Sequence, residues 1–182
     1  MNDLEQCIQT FENILDKDYI LTLEDGTVLH IFFTAKHFKH LLGLHKLTDI
    51  AAFHPKRGLS AKAVYDYIKR GKITFDTIRK SAHYSKIADR VACFPMIESL
   101  FFKKVIVDFN PALLKNCKLQ AEFILYTEYR NGYLHLAIGH DIKGQYPESF
   151  FYEDSKCYLS GQHFVNVEKL EVIQKQRKNK KK

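Results

Sequence analysis

The chain has little cysteine, and what it has is scattered. Cys7, Cys93, Cys117 and Cys157 form no CxxC pair, which argues against both a zinc ribbon and a disulfide framework. Reduced thiols in a cytoplasmic protein are the expectation. Long apolar runs are missing too: none approaches the ~20 residues of a membrane span. The N-terminal stretch MNDLEQCIQTFENIL is acidic and amphipathic, unlike a signal peptide. A soluble intracellular protein with no membrane partner is therefore expected. Glycine-rich phosphate loops are absent, since Gly139-His140-Asp141 and Gly161-Gln162 stand isolated, and there is no GxSxG elbow. Glu98, Glu122, Glu128 and Glu148 are too dispersed for a paired-carboxylate site. Metal-dependent nucleases need clustered acids, and His37-x-x-His40 lacks helical HxxxH spacing, so neither a metal nor a cofactor is expected.

The positive charge is unevenly spread. The formal charge is +7, and the nine residues from Gln174, QKQRKNKKK, carry six positive charges and no acid. Removing them leaves 7 − 6 = +1 for the body, so a basic site there must be local rather than a whole-surface field. With 182 residues, 46% of them hydrophobic, the chain has enough apolar material for a core. One domain over residues 1–173 and a basic, disordered tail over 174–182 are expected, the tail adding salt-sensitive RNA affinity.

Periodicity gives the elements. Leu4, Ile8, Phe11, Ile14 and Leu15 recur at helical spacing. Residues 19–23 and 28–33 flank Asp25-Gly26 and read as a hairpin. Thr34 is a plausible cap for a helix over Lys36 to Leu42 ended by Gly43. Ser60 and Thr74 cap two further helices, and a longer one runs from Ser85 to Phe101, bent by Pro95. The last third turns to strands. Lys104 to Phe109 comes first, then Phe123 to Arg130 and Tyr133 to Ile142 around Asn131-Gly132. A loop over Gly144 to Ser149 follows, then strands at Phe150–Tyr152 and Phe164–Ile173. The fold class is α+β: a helical N-terminal half followed by a curved antiparallel sheet.

Chemistry concentrates in Lys36-His37-Phe38-Lys39-His40-Leu41-Leu42-Gly43-Leu44-His45-Lys46. Phe38, Leu41 and Leu42 define its buried stripe, and His37 and His40, three apart, flank it. Histidine takes and gives protons near neutral pH, and lysine supplies charge for a phosphate or its transition state. A second group lies on the late strands. His135 alternates with Tyr133 and Ala137, opposite core-facing Leu134, Leu136 and Ile138, on a face where a groove can form. Arg130 stands at the Asn-Gly turn, Ser149 offers a hydroxyl beside aromatics, and Lys156 and Tyr158 follow. Aromatic faces stack bases and cations hold phosphates.

Four segments carry a family resemblance. They are Phe38 to Lys46, Phe94-Pro95, Leu134-His135-Leu136, and Tyr146-Pro147-Glu148-Ser149-Phe150-Phe151. Together they resemble the phage-associated nuclease domains of the barnase/EndoU/colicin/RelE-like superfamily, most closely the fourth phage-associated group. The resemblance runs from the first hairpin to Gln162. It implies RNA bound across the sheet face and metal-independent cleavage by a toxin or effector of prophages and other mobile elements. It also implies a cognate antitoxin or immunity protein as a partner. His40 and His45 carry over from the matching segment, and Ser149 matches a late hydroxyl position. His135 and Arg130 rest on the strand reading.

Attack of a ribose 2′-OH on phosphorus needs a base, an acid for the leaving oxygen and a cation for the developing charge. His40 and His135 are the expected proton-transfer pair, with either order open. His45, Lys46 and Arg130 are candidates for phosphate stabilisation, and Ser149 would donate to a phosphate oxygen. Two competitors remain: a non-catalytic RNA- or protein-binding module on the same fold, and an accessory protein that does not touch RNA.

Overall fold

Apolar side chains at helical spacing fold the start of the chain into α1, Asp3–Leu15, whose Leu4, Cys7, Phe11 and Ile14 are buried. The computed structural model describes residues 3–142 and 144–175. Strand β1, Lys17–Leu23, alternates with Tyr19, Leu21 and Leu23 inward, as a half-buried strand requires. It pairs with β2, Val28–Phe32, across the expected Asp-Gly turn.

The next seventy residues are helical and short-segmented. They comprise α2, His37–Leu41; α3, Ala61–Lys69; α4, Phe75–Arg79; and α5, Ala88–Cys93, with 3₁₀ turns between them. Ser60 and Thr74 cap α3 and α4 as expected, each side-chain oxygen accepting a backbone N–H. Thr34 does not cap α2. The N-cap position is Lys36, which makes no side-chain cap hydrogen bond, and the Thr34 N–H donates to His37 Nδ1 at 3.2 Å. The long helix expected from Ser85 is divided: α5 ends at Cys93 and a 3₁₀ segment, Phe94–Phe102, takes over where Pro95 removes a donor.

The remaining strands are β3, Val105–Asp108; β4, Phe123–Tyr129; β5, Gly132–Asp141; β6, Gly144–Glu153; and β7, His163–Gln174. Their order is β1-β2-β6-β5-β4-β3-β7, closed on itself. The α+β class holds, but the curved sheet is a seven-stranded barrel. The N-terminal hairpin belongs to it, bonded to β7 on one side and, through the parallel pair Ile31–Gln145, to β6 on the other. Closure removes the open edges that a curved sheet would leave. Strand β7 runs through Gln174, and Lys175 donates its N–H to Asp16 O at 2.7 Å. The rest of the expected basic tail, 176–182, lies outside the described residues.

Two strand details position the site. The β4–β5 turn centres on Arg130-Asn131, one residue earlier than the Asn-Gly pair suggests, with Arg130 at φ 51. Gly132 is needed for room rather than for φ: a Cβ there would strike the Glu153 carbonyl and come within 2.7 Å of Asp154 Cα. The second detail is in β6, where Ala137 faces Ser149 but Ile138 faces Pro147. Glu148 is the extra residue of a β-bulge. Proline lacks the ladder donor and is tolerated at such a bulge, which is why the stretch expected to be a loop is strand.

The main core lies between the helices and the barrel. Phe11 at its centre is fully buried and touches the rings of Phe33, Phe38, Tyr65 and Phe94; truncating such a side chain costs ~3–5 kcal/mol. A smaller core of Val107, Phe109, Ala121, Ile124, Ala137 and Leu159 fills the opposite face of β3–β5.

Candidate active site

The segment Phe38 to Lys46 folds back on itself. Phe38 packs on Phe11, Tyr65 and Phe94, which anchors α2 and leaves His40 exposed at its end. Gly43 then turns the chain at φ 73. A Cβ at Gly43 would approach Ile87 Cγ2 to 3.0 Å and Arg90 Cδ to 3.1 Å, so glycine serves both the left-handed turn and the close packing of α5. The return brings His45 back onto His40, their rings stacked at 4.5 Å and 15°. The partner of His40 is thus His45 rather than His37.

This turn forms one wall of an open, mostly polar cleft of about 420 Å³. His40 and Lys46 line it from the turn, Lys86 and Arg90 from the segment leading into and through α5, and Glu148 and Ser149 from the β6 bulge. Lys118, Leu119, Phe151, Tyr152 and Tyr158 line its far side, and Asp89 of α5 adds one carboxylate to the wall. Neighbouring strand residues normally point to opposite faces. The bulge lets both Glu148 and Ser149 face the cleft, a common use of bulges beside active sites.

Burial and charge tune these groups. Partial desolvation of the ring first, then Arg90 and Lys46, hold the His40 imidazole below its usual pKa. Burial and the nearby cations push His45 down to about 4, and its Nδ1 is buried without a partner. Lys46 is lowered by burial, Arg90 and Lys86. Burial brings Arg90 down to about 10, an effect that Tyr158 opposes. Its Nη1 donates to Ser149 Oγ at 3.4 Å. Glu148 is raised by burial, partly offset by the Gln120 N–H that donates to Oε1 at 3.1 Å. The other carboxyl oxygen is buried and unpaired. A half-buried guanidinium, three lysines, a neutral imidazole and a carboxyl biased toward its protonated form make a site ready for an anion and for proton transfer.

With this arrangement in view, comparison with known proteins is decisive for the family. The description phage-Barnase-EndoU-ColicinE5/D-RelE like nuclease4 matches residues 3–182. The chain belongs to that family of phage-associated nucleases. No curated protein and no solved structure matches it.

Of the residues that the sequence singles out in this nuclease, the structure brings together His40, His45, Lys46, Ser149 and Tyr158. It does not bring in His135, Arg130 or Lys156. The face of β5 expected to form a groove is covered: His135 is fully buried, stacked on Phe151 at 4.9 Å and 12° and packed against Tyr133 and Tyr158. It lies one ring behind the cleft wall. Arg130 sits over Tyr129 at the hairpin turn, 5.1 Å from the ring. Lys156 sits over Tyr133 at 5.8 Å in a separate groove with Phe164. Sequence reasoning misses Arg90, Lys86, Lys118 and the role of Glu148. A signal for Glu148 existed: Pro147 inside an alternating strand pattern marks a bulge. Among the described residues, no group of three or more His, Cys, Asp and Glu side chains converges as a metal site, and no helix is long and apolar enough to cross a membrane.

His135 makes a stability prediction. Burial pushes its pKa down to about 4 from the ordinary 6.5. The Tyr133 and Phe151 backbones oppose this weakly, without hydrogen-bond geometry to either ring nitrogen. The unfolded chain therefore binds a proton that the folded one refuses between those values. Stability is lost as pH falls from about 6.5 to about 4, by up to ~3 kcal/mol from this ring. His135→Phe should flatten the fall of the urea midpoint over that window. Identical slopes in variant and wild type would remove His135 from the account.

Proposed function

We propose that this protein is a metal-independent endoribonuclease that cleaves RNA by 2′-OH attack and acts as a toxin or effector of a prophage or mobile element. A cognate antitoxin or immunity protein is its proposed protein partner. The observation that carries the reading is the convergence of His40, Glu148, Ser149, Lys46 and Arg90 on one open cleft.

His40, neutral near pH 7 and solvent-accessible, removes the 2′-OH proton. The 2′-oxygen bonds to phosphorus, the bond from phosphorus to the 5′-oxygen breaks, and protonated Glu148 gives its proton to that oxygen. The products are a 2′,3′-cyclic phosphate and a 5′-hydroxyl. Arg90 and Lys46 face the extra negative charge of the phosphorane, and Ser149, already bonded to Arg90, donates to a phosphate oxygen. His45 is a positioning residue: its ring stacks on His40 and holds it. Glu148 takes the place in the proton-transfer pair that His135 holds in the sequence reading, because His135 is shut away from the cleft.

The pH dependence of kcat/KM follows. The base must be deprotonated, so activity rises with pH through the His40 pKa, which lies below 6.5. The acid must be protonated, so activity falls as pH rises through the Glu148 pKa, which lies above 4.5. A bell-shaped profile is expected, its acid limb set by His40 and its alkaline limb by Glu148. Glu148→Gln should abolish the alkaline limb and leave the acid limb. Loss of the acid limb instead would exchange the two roles, and an unaltered bell would exclude Glu148.

A further inference from the structure

Tyr158 lines more than the cleft. Beyond it lies a second groove of about 530 Å³. The two spaces share Lys118 and Tyr158 as lining residues, so they are neighbours on either side of these side chains. Asn116 takes φ 58 in the loop that forms one side, a conformation asparagine tolerates. That loop places exposed Lys115 and Lys118 along the groove. The opposite side is Glu153 and Cys157, from the end of β6 and the turn after it. Tyr158 between the two spaces is fixed from behind by Phe109, Phe151 and His135.

Ligand pockets of ~300–1,000 Å³ hold one compact ligand. Each space is of that size, so the pair exceeds what one nucleotide fills. Cations at intervals along a groove with an aromatic between them are the pattern that tracks a single-stranded backbone with splayed bases. Paired RNA, recognised across its shallow groove, would not enter a cleft partitioned by a tyrosine.

We infer that the groove lined by Lys115, Lys118, Cys157 and Tyr158 is a second nucleotide subsite, so that the nuclease engages single-stranded RNA of at least two nucleotides with the scissile phosphate beside Arg90. This rests on the ribonuclease reading and gives its substrate class. The base of the neighbouring nucleotide enters past Tyr158, and Lys118 and Lys115 face successive phosphates.

Two thiols make the groove readable without catalysis. Cys117 and Cys157 line it, whereas Cys7 and Cys93 are buried and serve as unreactive internal controls. The wild-type protein is incubated with 2′-O-methyl oligonucleotides of one, two and four residues, which the 2′-OH mechanism cannot cut. Binding is followed by fluorescence anisotropy, and iodoacetamide alkylation of each cysteine by mass spectrometry. Saturating tetranucleotide should slow Cys157 alkylation several-fold, while saturating mononucleotide leaves it unchanged. Lys115→Ala should weaken tetranucleotide binding several-fold. Bound tetranucleotide with Cys157 reacting at the free rate, or equal protection by the mononucleotide, overturns the subsite and leaves the ribonuclease reading standing. No anisotropy change with any oligonucleotide overturns both.

Discussion

Replacing His40 by alanine should lower RNA cleavage by ~10²–10⁴-fold, the range for loss of a general base. The structure predicts that the fold survives. His40 is exposed at the end of α2, and Phe38 and Leu41 carry that helix's packing. The loss should fall on kcat, with an unshifted melting curve as the control. His45→Ala should have a smaller effect, because the ring supports His40 and Nδ1 has no partner to lose. Equal losses at the two positions would show that His45 handles protons itself. Unaltered cleavage by His40→Ala would remove the histidine from the mechanism.

Arg90→Ala should cost ~10²–10³-fold in kcat, as expected for removing a donor aimed at developing negative charge in a partly excluded site. Arg90→Lys should restore only part, since an ammonium keeps the charge but not the planar fork that also holds Ser149. A second readout separates this role from simple packing. Arg90 is among the groups that lower His40, so its removal raises the His40 pKa. Because the base must be unprotonated, the acid limb of the pH profile should move to higher pH in Arg90→Ala. A lower rate with an unmoved limb would mean that Arg90 only supports the local structure.

Much of this site was legible in the sequence because it is local. The return of His45 and Lys46 toward His40 follows from a left-handed turn that Gly43 advertises, and the apolar triplet Phe38, Leu41, Leu42 says which way α2 faces. Most helix caps and strand positions are legible for the same reason. What the sequence hides is long-range. Arg90 reaches Ser149 across fifty-nine positions, and nothing near Arg90 in the chain marks it out from other helical arginines. Closure of the barrel depends on β7 meeting β1 and on a parallel bridge between β2 and β6, pairings that no local period encodes. The alternation at His135 gives its face correctly. It cannot say that Phe151, Tyr158 and the residues of the smaller core cover that face. The bulge inverts the usual lesson, since a one-residue irregularity turns Glu148 toward the cleft where strict alternation would have turned it away.

The central claim is a metal-free cut made by the RNA's own 2′-hydroxyl. It is tested most directly by incubating the purified protein, in excess EDTA, with end-labelled single-stranded RNA and with the same strand carrying one 2′-deoxy residue at the cleavage position. The account predicts fragments ending in a 2′,3′-cyclic phosphate from the RNA and no cut at the substituted position. Fragments from the 2′-deoxy site, products lacking the cyclic phosphate, or intact RNA that is merely bound would contradict it.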